Sequence, residues 1–472
     1  MASPNGAVAL RICGVLLVAS QFLAAAPAFG RELAPDIQFA SCECVAIGAT
    51  HAAETCLRQP CCEPYAICES YANCTCDCCQ GYGLSDELTQ RMKAAAKHMQ
   101  DHGVTYAPGI TQFYQGVTSG GARQEFEYGG KVDQFLILDS GKLGLWDGMT
   151  VTLHAETRFG QDVNSMAVGL APVNVAMLYP KLNEHETAIT GLSFAQSLSE
   201  EVQVTFGKFN ALDLFYSLYP QTGRGVDGFM NASLVIPLSV GRVVPLSFMG
   251  AGVLKLHDKQ MQGGVLVYDT QNCTTTSGFE DIFGNGVDIL GFWRFFTEFG
   301  GLPGSQMVGG IWSTGKFTAY DPAGFIIVPG EGVIAPREHG AYTLLYVCEQ
   351  TLWQDCCNTK RNIGFLSQWG LADERTSPFS WTANVAIQAA GFCDYRSEDV
   401  VGVGYFHTGL SSDFRDLLSE RLDLHNLDGV EVYYTATINK LVNVTADLQV
   451  IEPANVTNDT ALVFGLRANI GM

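Results

Sequence analysis

Residues 442–450 read VNVTADLQV. Val442, Val444, Ala446, Leu448 and Val450 alternate with Asn443, Thr445, Asp447 and Gln449, so an extended chain here carries one apolar face and one polar face. The same division recurs in TVTLHAETRF (150–159), WTANVAIQA (381–389) and VEVYYTATIN (430–439). These segments run about nine to eleven residues, the span of a tilted strand across a bilayer and longer than the usual five or six of a soluble sheet. Turn signals such as DSGK (139–142), LPGS (302–305) and DPAG (321–324) are scattered among them. Alternating strands of this length predict an all-β fold: a transmembrane antiparallel β-barrel, closed because an open sheet edge has no partner in lipid. A soluble β-sandwich is the alternative that shares the alternation.

The bulk properties agree with export and membrane insertion. The 472 residues are 47% hydrophobic and 16% charged, with a formal net charge of −21; no basic run is present, which argues against a nucleic-acid partner. Residues 1–30 begin weakly basic at Arg11, continue apolar from Ile12 to Ala26 and end in small residues at Ala26, Ala28 and Gly30, the pattern of a secretory signal. Arg11 and Ile12 precede Cys13 where a lipoprotein signal needs small residues, so no lipid anchor is expected. Beyond the signal, no stretch approaches the roughly 18 uninterrupted apolar residues of a membrane-spanning helix.

The chain then divides into a Cys-rich leader (31–83), a short amphipathic helix (84–103) and a barrel domain (104–472). Ser85 as N-cap, Asp86 and Glu87 in the first turn and Gly103 as the stop define the helix; Leu88, Met92, Ala95 and Met99 fall on one face, expected to dock on the next domain. Ten of the sixteen cysteines lie in the leader: Cys42, Cys44, Cys56, Cys61, Cys62, Cys68, Cys74, Cys76, Cys78 and Cys79. Adjacent pairs such as Cys61/Cys62 and Cys78/Cys79 cannot readily both ligate one tetrahedral ion, and the chain is exported, so these cysteines, with Cys348, Cys356, Cys357 and Cys393, are disulfide candidates and no metal site is expected.

Longer blocks carry a resemblance. GVTYAPGITQFYQGVTSGG (103–121), the run from FEYGGKVDQF to TRFGQDVN (126–164), GRGVDGFMN (223–231), TTSGFEDIFGNGV (275–287), HTGLSSDFRDLL (407–418), NVTADLQVIEPA (443–454) and DTALVFGLRANI (459–470) resemble, in order, the carbohydrate-selective porin (OprB) family from about residue 84 onward. The resemblance implies a barrel of about sixteen strands in the bacterial outer membrane, passing sugars by passive diffusion, with no cofactor. The leader receives no role from it, and the chain ends in Met472 where outer-membrane barrels commonly end in an aromatic residue.

A porin supplies a wet passage whose wall replaces part of the solute's hydration. Parity places His154, Glu156, Arg158, Asn384, Gln388, Glu431, Asp447, Gln449 and Arg467 on the lumen side, with Glu156 and Arg158 adjacent on one strand face. Their mixed signs suit sugar hydroxyls better than one class of small ion. A structural wall ladder is the competing role for that pair. The Gly-rich TGRGVDGFMN (222–231) is either a surface loop or an inward constriction with Arg224 and Asp227 at its tip. No nucleophile elbow, zinc helix motif or phosphate loop occurs, so catalytic residues are not expected. Trp146, Phe159, Trp293, Phe295, Trp312, Phe317, Trp353, Trp369, Trp381 and Tyr405 fall toward segment ends, as interface girdles do. The expected partners are carbohydrate solutes, outer-membrane lipid and an envelope component reached through the leader; a structural or adhesive barrel tethered by that leader is the alternative function.

Overall fold

The computed structural model describes residues 84–167, 170–180, 187–328, 332–393 and 395–471; the signal and the cysteines from Cys42 to Cys79 lie outside the described residues. The chain divides into two units, Met1–Gln90 and Arg91–Met472, and of the first only the start of a helix is described. That helix, α1 (Leu84–Asp101), ends where Gly103 adopts φ +87°, a conformation that favours glycine. On its apolar face Ala95 and Met99 are exposed and Met92 is half-buried.

The strands are β1 (Val104–Ser119), β2 (Phe126–Asp139), β3 (Met149–Gly160), β4 (Thr187–Ser197), β5 (Val202–Asn210), β6 (Ser247–His257), β7 (Gln260–Asp269), β8 (Val287–Phe299), β9 (Leu302–Thr318), the short pair β10 (Ile326–Val328) and β11 (Gly332–Ile334), β12 (Arg337–Gln354), β13 (Asn362–Ala372), β14 (Phe379–Ala390), β15 (Val400–Leu410), β16 (Leu427–Thr437), β17 (Val442–Glu452) and β18 (Ala461–Gly471). Sixteen of them close into one antiparallel barrel, and β10 pairs only with β11. Closure runs from Gly109 opposite Gly471 to Ser119 opposite Leu462, between β1 and β18. On the rim where β1 begins, connections such as 258–259, 300–301 and 438–441 are short; on the other rim, 161–186, 211–246, 270–286 and 411–426 are long. Short periplasmic turns and long external loops are the pattern of outer-membrane barrels. LPGS starts β9 and is not a connection; the turn before it is Gly300–Gly301.

Alternation is clean in β17. In β17, Thr445, Asp447 and Gln449 are buried inward while Val444 is exposed outward, and Leu344, Leu466 and Ile470 add to the outer band. Among the girdle aromatics, Trp146, Trp293, Phe295, Trp312, Trp353, Trp369 and Trp381 are exposed. Phe317 is not: it is buried, with the Arg242 guanidinium 5.7 Å from its ring centre.

The main apolar core lies inside the barrel. Two long external connections turn inward and bury Val163, Val173, Tyr179, Leu218, Tyr219, Phe229 and Leu234 against the inward-facing Phe248, Tyr268, Phe406 and Tyr433. Each large apolar side chain covered in this way contributes about 1.5–3 kcal/mol, enough for several of them to pin a loop inside an otherwise wet lumen. The inward segments include α2 (Asn164–Ala167), α3 (Ala211–Leu218) and α4 (Ala232–Val235); α5 (Ser412–Leu418) lies in the connection after β15.

Among the described residues no disulfide joins Cys348 or Cys393, nor the buried Cys273. Cys348 sits within β12 opposite Gln306 and Ser367, so neither cross-strand neighbour is a cysteine. Cys356 and Cys357 are exposed in the turn between β12 and β13.

Candidate functional site in the lumen

The inward segment 211–246 is held by two asparagines that each act in both directions. The Asn210 side-chain oxygen accepts from Leu212 N and Asp213 N at the start of α3, while its amide donates to Glu156 Oε2 at 2.9 Å. The Asn231 oxygen accepts from Ser233 N at the start of α4, while its amide donates to Gln449 Oε1 at 3.0 Å. Asparagine suits both positions because one side chain carries a capping acceptor and a separate donor.

Between these caps the chain makes the tight turn 223–228. Gly223, Gly225 and Gly228 all have positive φ, and a Cβ on Gly225 would lie 2.6 Å from Val175 Cγ1, so the Gly-rich stretch is what permits this approach. Arg467 of β18 forks over the turn, donating from Nη1 to the Gly225 carbonyl and from Nη2 to the Gly228 carbonyl, each at 3.0 Å. Glu431 of β16 accepts from Met230 N at 2.6 Å and Asn231 N at 2.8 Å. Asn384 donates to Ser233 O and Gln388 to Gln221 O, and Gln449 bridges Val173 O and Asp447.

The residues expected to line the lumen are therefore mostly covered by this loop. His154, Glu156, Asn384, Glu431, Asp447, Gln449 and Arg467 are each at most 3% exposed. Glu156 and Arg158 share a face without pairing: Glu156 is in an ion pair with Lys131, and Arg158 with Asp162. A cavity of about 410 Å³ lies at the turn, bordered by Asp133, Phe135, Arg224, Asp227, Tyr433 and Arg467 among others. Parity gives the side of the wall each residue occupies; it does not show what packs against that wall.

A charged network joins wall and loop beside the cavity. His154 stacks on Phe135 with ring centres 3.8 Å apart, and its nitrogens face Asp213 Oδ2 at 2.6 Å and Asp133 Oδ1 at 3.0 Å. The ring that satisfies both carboxylates carries two N–H donors. Arg224 Nη1 reaches Asp213 Oδ1 at 3.0 Å, and its guanidinium lies 4.9 Å from the Phe135 ring centre and 5.0 Å from that of Tyr216. Burial pushes the Asp213 carboxyl up, but His154 and Arg224 outweigh it and hold it below the usual carboxylate value. Burial and the Asp227 carboxylate push Tyr216 up to about 12. Asp133, His154 and Glu156 could converge on a metal, yet the Lys131 ammonium contacts both Asp133 and Glu156; a cation already compensates the carboxylates, and the cluster reads as an ion-pair network.

A closed sixteen-stranded barrel with an inward loop fits the porins, and the sequence decides which kind: the model of the carbohydrate-selective porin, OprB family, matches residues 123–472. The chain belongs to that family. It is an outer-membrane porin through which carbohydrates diffuse passively. OprB of Pseudomonas putida, in its high-pH structure, superposes with a TM-score of 0.68 at 18% identity, covering 81% of this chain and 97% of that one. The low-pH structure of the same protein gives 0.49 at 14% identity, covering 82% and 98%. OmpT of Vibrio cholerae in its trimer form gives 0.44 at 12% identity, covering 78% and 99%. No curated protein matches the chain in sequence. Sequence reading missed the paired roles of Asn210 and Asn231, for which Asn before an apolar helical run was the available signal, and missed Asp133, Phe135 and Tyr433 as cavity residues.

Proposed function

We propose that the turn 223–228 is the selective neck of this sugar channel, with Arg224 and Asp227 as its polar contacts and Phe135 and Tyr433 as its aromatic ones. The observation that carries this reading is the cavity bordered by those four residues. A sugar presents hydroxyls on its edge and C–H groups on its flats, so a neck that sets charged hydrogen-bond partners beside aromatic rings meets both. Opposite charges side by side keep the neck from selecting small ions of one sign. Glu156, Asn384, Gln388, Glu431, Asp447, Gln449 and Arg467 act behind it as anchors for the loop, and the Glu156 and Glu431 carboxylates are engaged by Lys131 and by the Met230 and Asn231 amides, which supports a channel without bond chemistry. The envelope partner expected of the leader has no support from the family or the described residues. Planar-bilayer recording tests the neck: maltooligosaccharides should reduce wild-type conductance saturably, and Arg224→Ala with Phe135→Ala should weaken that block several-fold. Block unchanged in both variants would contradict the assignment.

A further inference from the structure

On the outer wall, near the external rim, the connection 270–286 folds back over β4 to β7 and encloses a groove of about 910 Å³. Its wall is apolar: Ile189, Phe206 and Val267 are exposed on the strands, and Phe279, Ile282 and Phe283 on the overhanging loop. Phe194 and Phe206 stack at its base, ring centres 5.1 Å apart. The small Ala251 and Gly250 leave the space open. Phe283 holds φ +62°, a conformation rare for a bulky residue, and its amide donates to Asp269 Oδ2 at 2.8 Å; strained backbone of this kind is found at ligand clamps.

Within this apolar wall lies one lysine. Lys208 stands opposite Met249 in the register, is 7% exposed, and donates to Thr276 O at 2.8 Å. Thr274 O lies at 3.5 Å. Among the described residues no carboxylate lies within ion-pair distance of it, whereas Lys131 inside the barrel has two. A buried cation without a counter-charge on a lipid-facing surface calls for an anion supplied from outside the chain.

We propose that this groove is a binding site for a phosphorylated, acylated lipid of the outer leaflet: an acyl chain lies along Ile189, Phe206 and Val267 under Phe279 and Ile282, and the headgroup phosphate faces Lys208. The loop 270–286 is then a lipid clamp, separate from the sugar path inside the barrel.

The test is native mass spectrometry of the full chain in detergent, titrated with diphosphorylated lipid A and, in parallel, with its dephosphorylated form. One adduct of the phosphorylated lipid is expected on the wild type. Lys208→Met should weaken retention about fivefold, the effect of one basic side chain near an anionic lipid surface, and Ala251→Phe, which fills the groove, should abolish the adduct. Heat-modifiable migration reports folding in each variant, and Val444→Phe on the opposite outer wall serves as the control that retains the lipid. Equal retention of both lipid forms, retention unaffected by Lys208→Met and Ala251→Phe in folded protein, or a second copy of the chain in place of lipid would overturn the proposal.

Discussion

Arg467 Nη1 lies 3.0 Å from the carbonyl of Gly225, and this contact ties the last strand of the barrel to the turn of the inward loop. A second donor on the same guanidinium reaches Gly228 O, and Thr445 supplies a hydroxyl acceptor at 3.1 Å. Replacing Arg467 by Met keeps much of the volume and removes all three bonds. Two carbonyls of the turn lose a charged donor, at about 1–3 kcal/mol for a buried polar group left unsatisfied. The turn should fluctuate, raising open-channel current noise while the unboiled protein still migrates as a folded barrel.

Lys131 lies between two carboxylates in a wall shared with His154. Lys131→Met leaves Asp133 and Glu156 without their common cation, and breaking such a buried pair costs about 3–5 kcal/mol. The temperature at which the folded band converts to the unfolded one should fall markedly, with Lys131→Arg recovering part of the loss. An unchanged conversion temperature would remove the network from the account of stability.

Asn231→Ala deletes a helix cap and a wall contact together. Cap loss alone costs about 0.5–2 kcal/mol, and the amide partner Gln449 becomes orphaned as well. Asn231→Asp restores the capping acceptor but cannot donate to Gln449 Oε1. A graded effect on current noise, Ala larger than Asp, is expected; equal effects would mean that the cap contributes nothing.

Acid should loosen the loop through Asp213. Its carboxyl is held below the usual value by His154 on β3 and by Arg224 on the loop, with Asp133 of β2 across the ring. A lowered folded-state value means that this stabilisation is complete above the unfolded value of about 3.9 and is lost as pH falls through the lower folded one. The part of the conductance noise that depends on Asp213 should appear only below pH about 4. Asp213→Asn should show the raised noise already at neutral pH.

Alternation in β3, β14, β16 and β17 made the barrel and its two faces legible, because one face meets lipid and the other meets water or packed protein. The glycine-rich 222–231 raised an inward turn as one of two options, and positive φ at Gly223, Gly225 and Gly228 accounts for its composition. The covered state of Glu431 and Gln449 was not legible: their partners are amides some two hundred residues away in sequence, and no local pattern encodes that pairing. Inward aromatic residues such as Tyr268, Phe406 and Tyr433 carried a usable hint, since large rings on a lumen face require something to cover them. LPGS misled because Pro303 is tolerated at the start of a strand, where β9 places it.

The central claim is that sugars pass a neck built by Arg224, Asp227, Phe135 and Tyr433. Single-channel recording of the wild-type protein with maltooligosaccharides titrated into one chamber tests it most directly. The account predicts stepwise conductance that falls saturably as sugar is added; conductance that changes only with the viscosity of the solution, with no saturation, would contradict it.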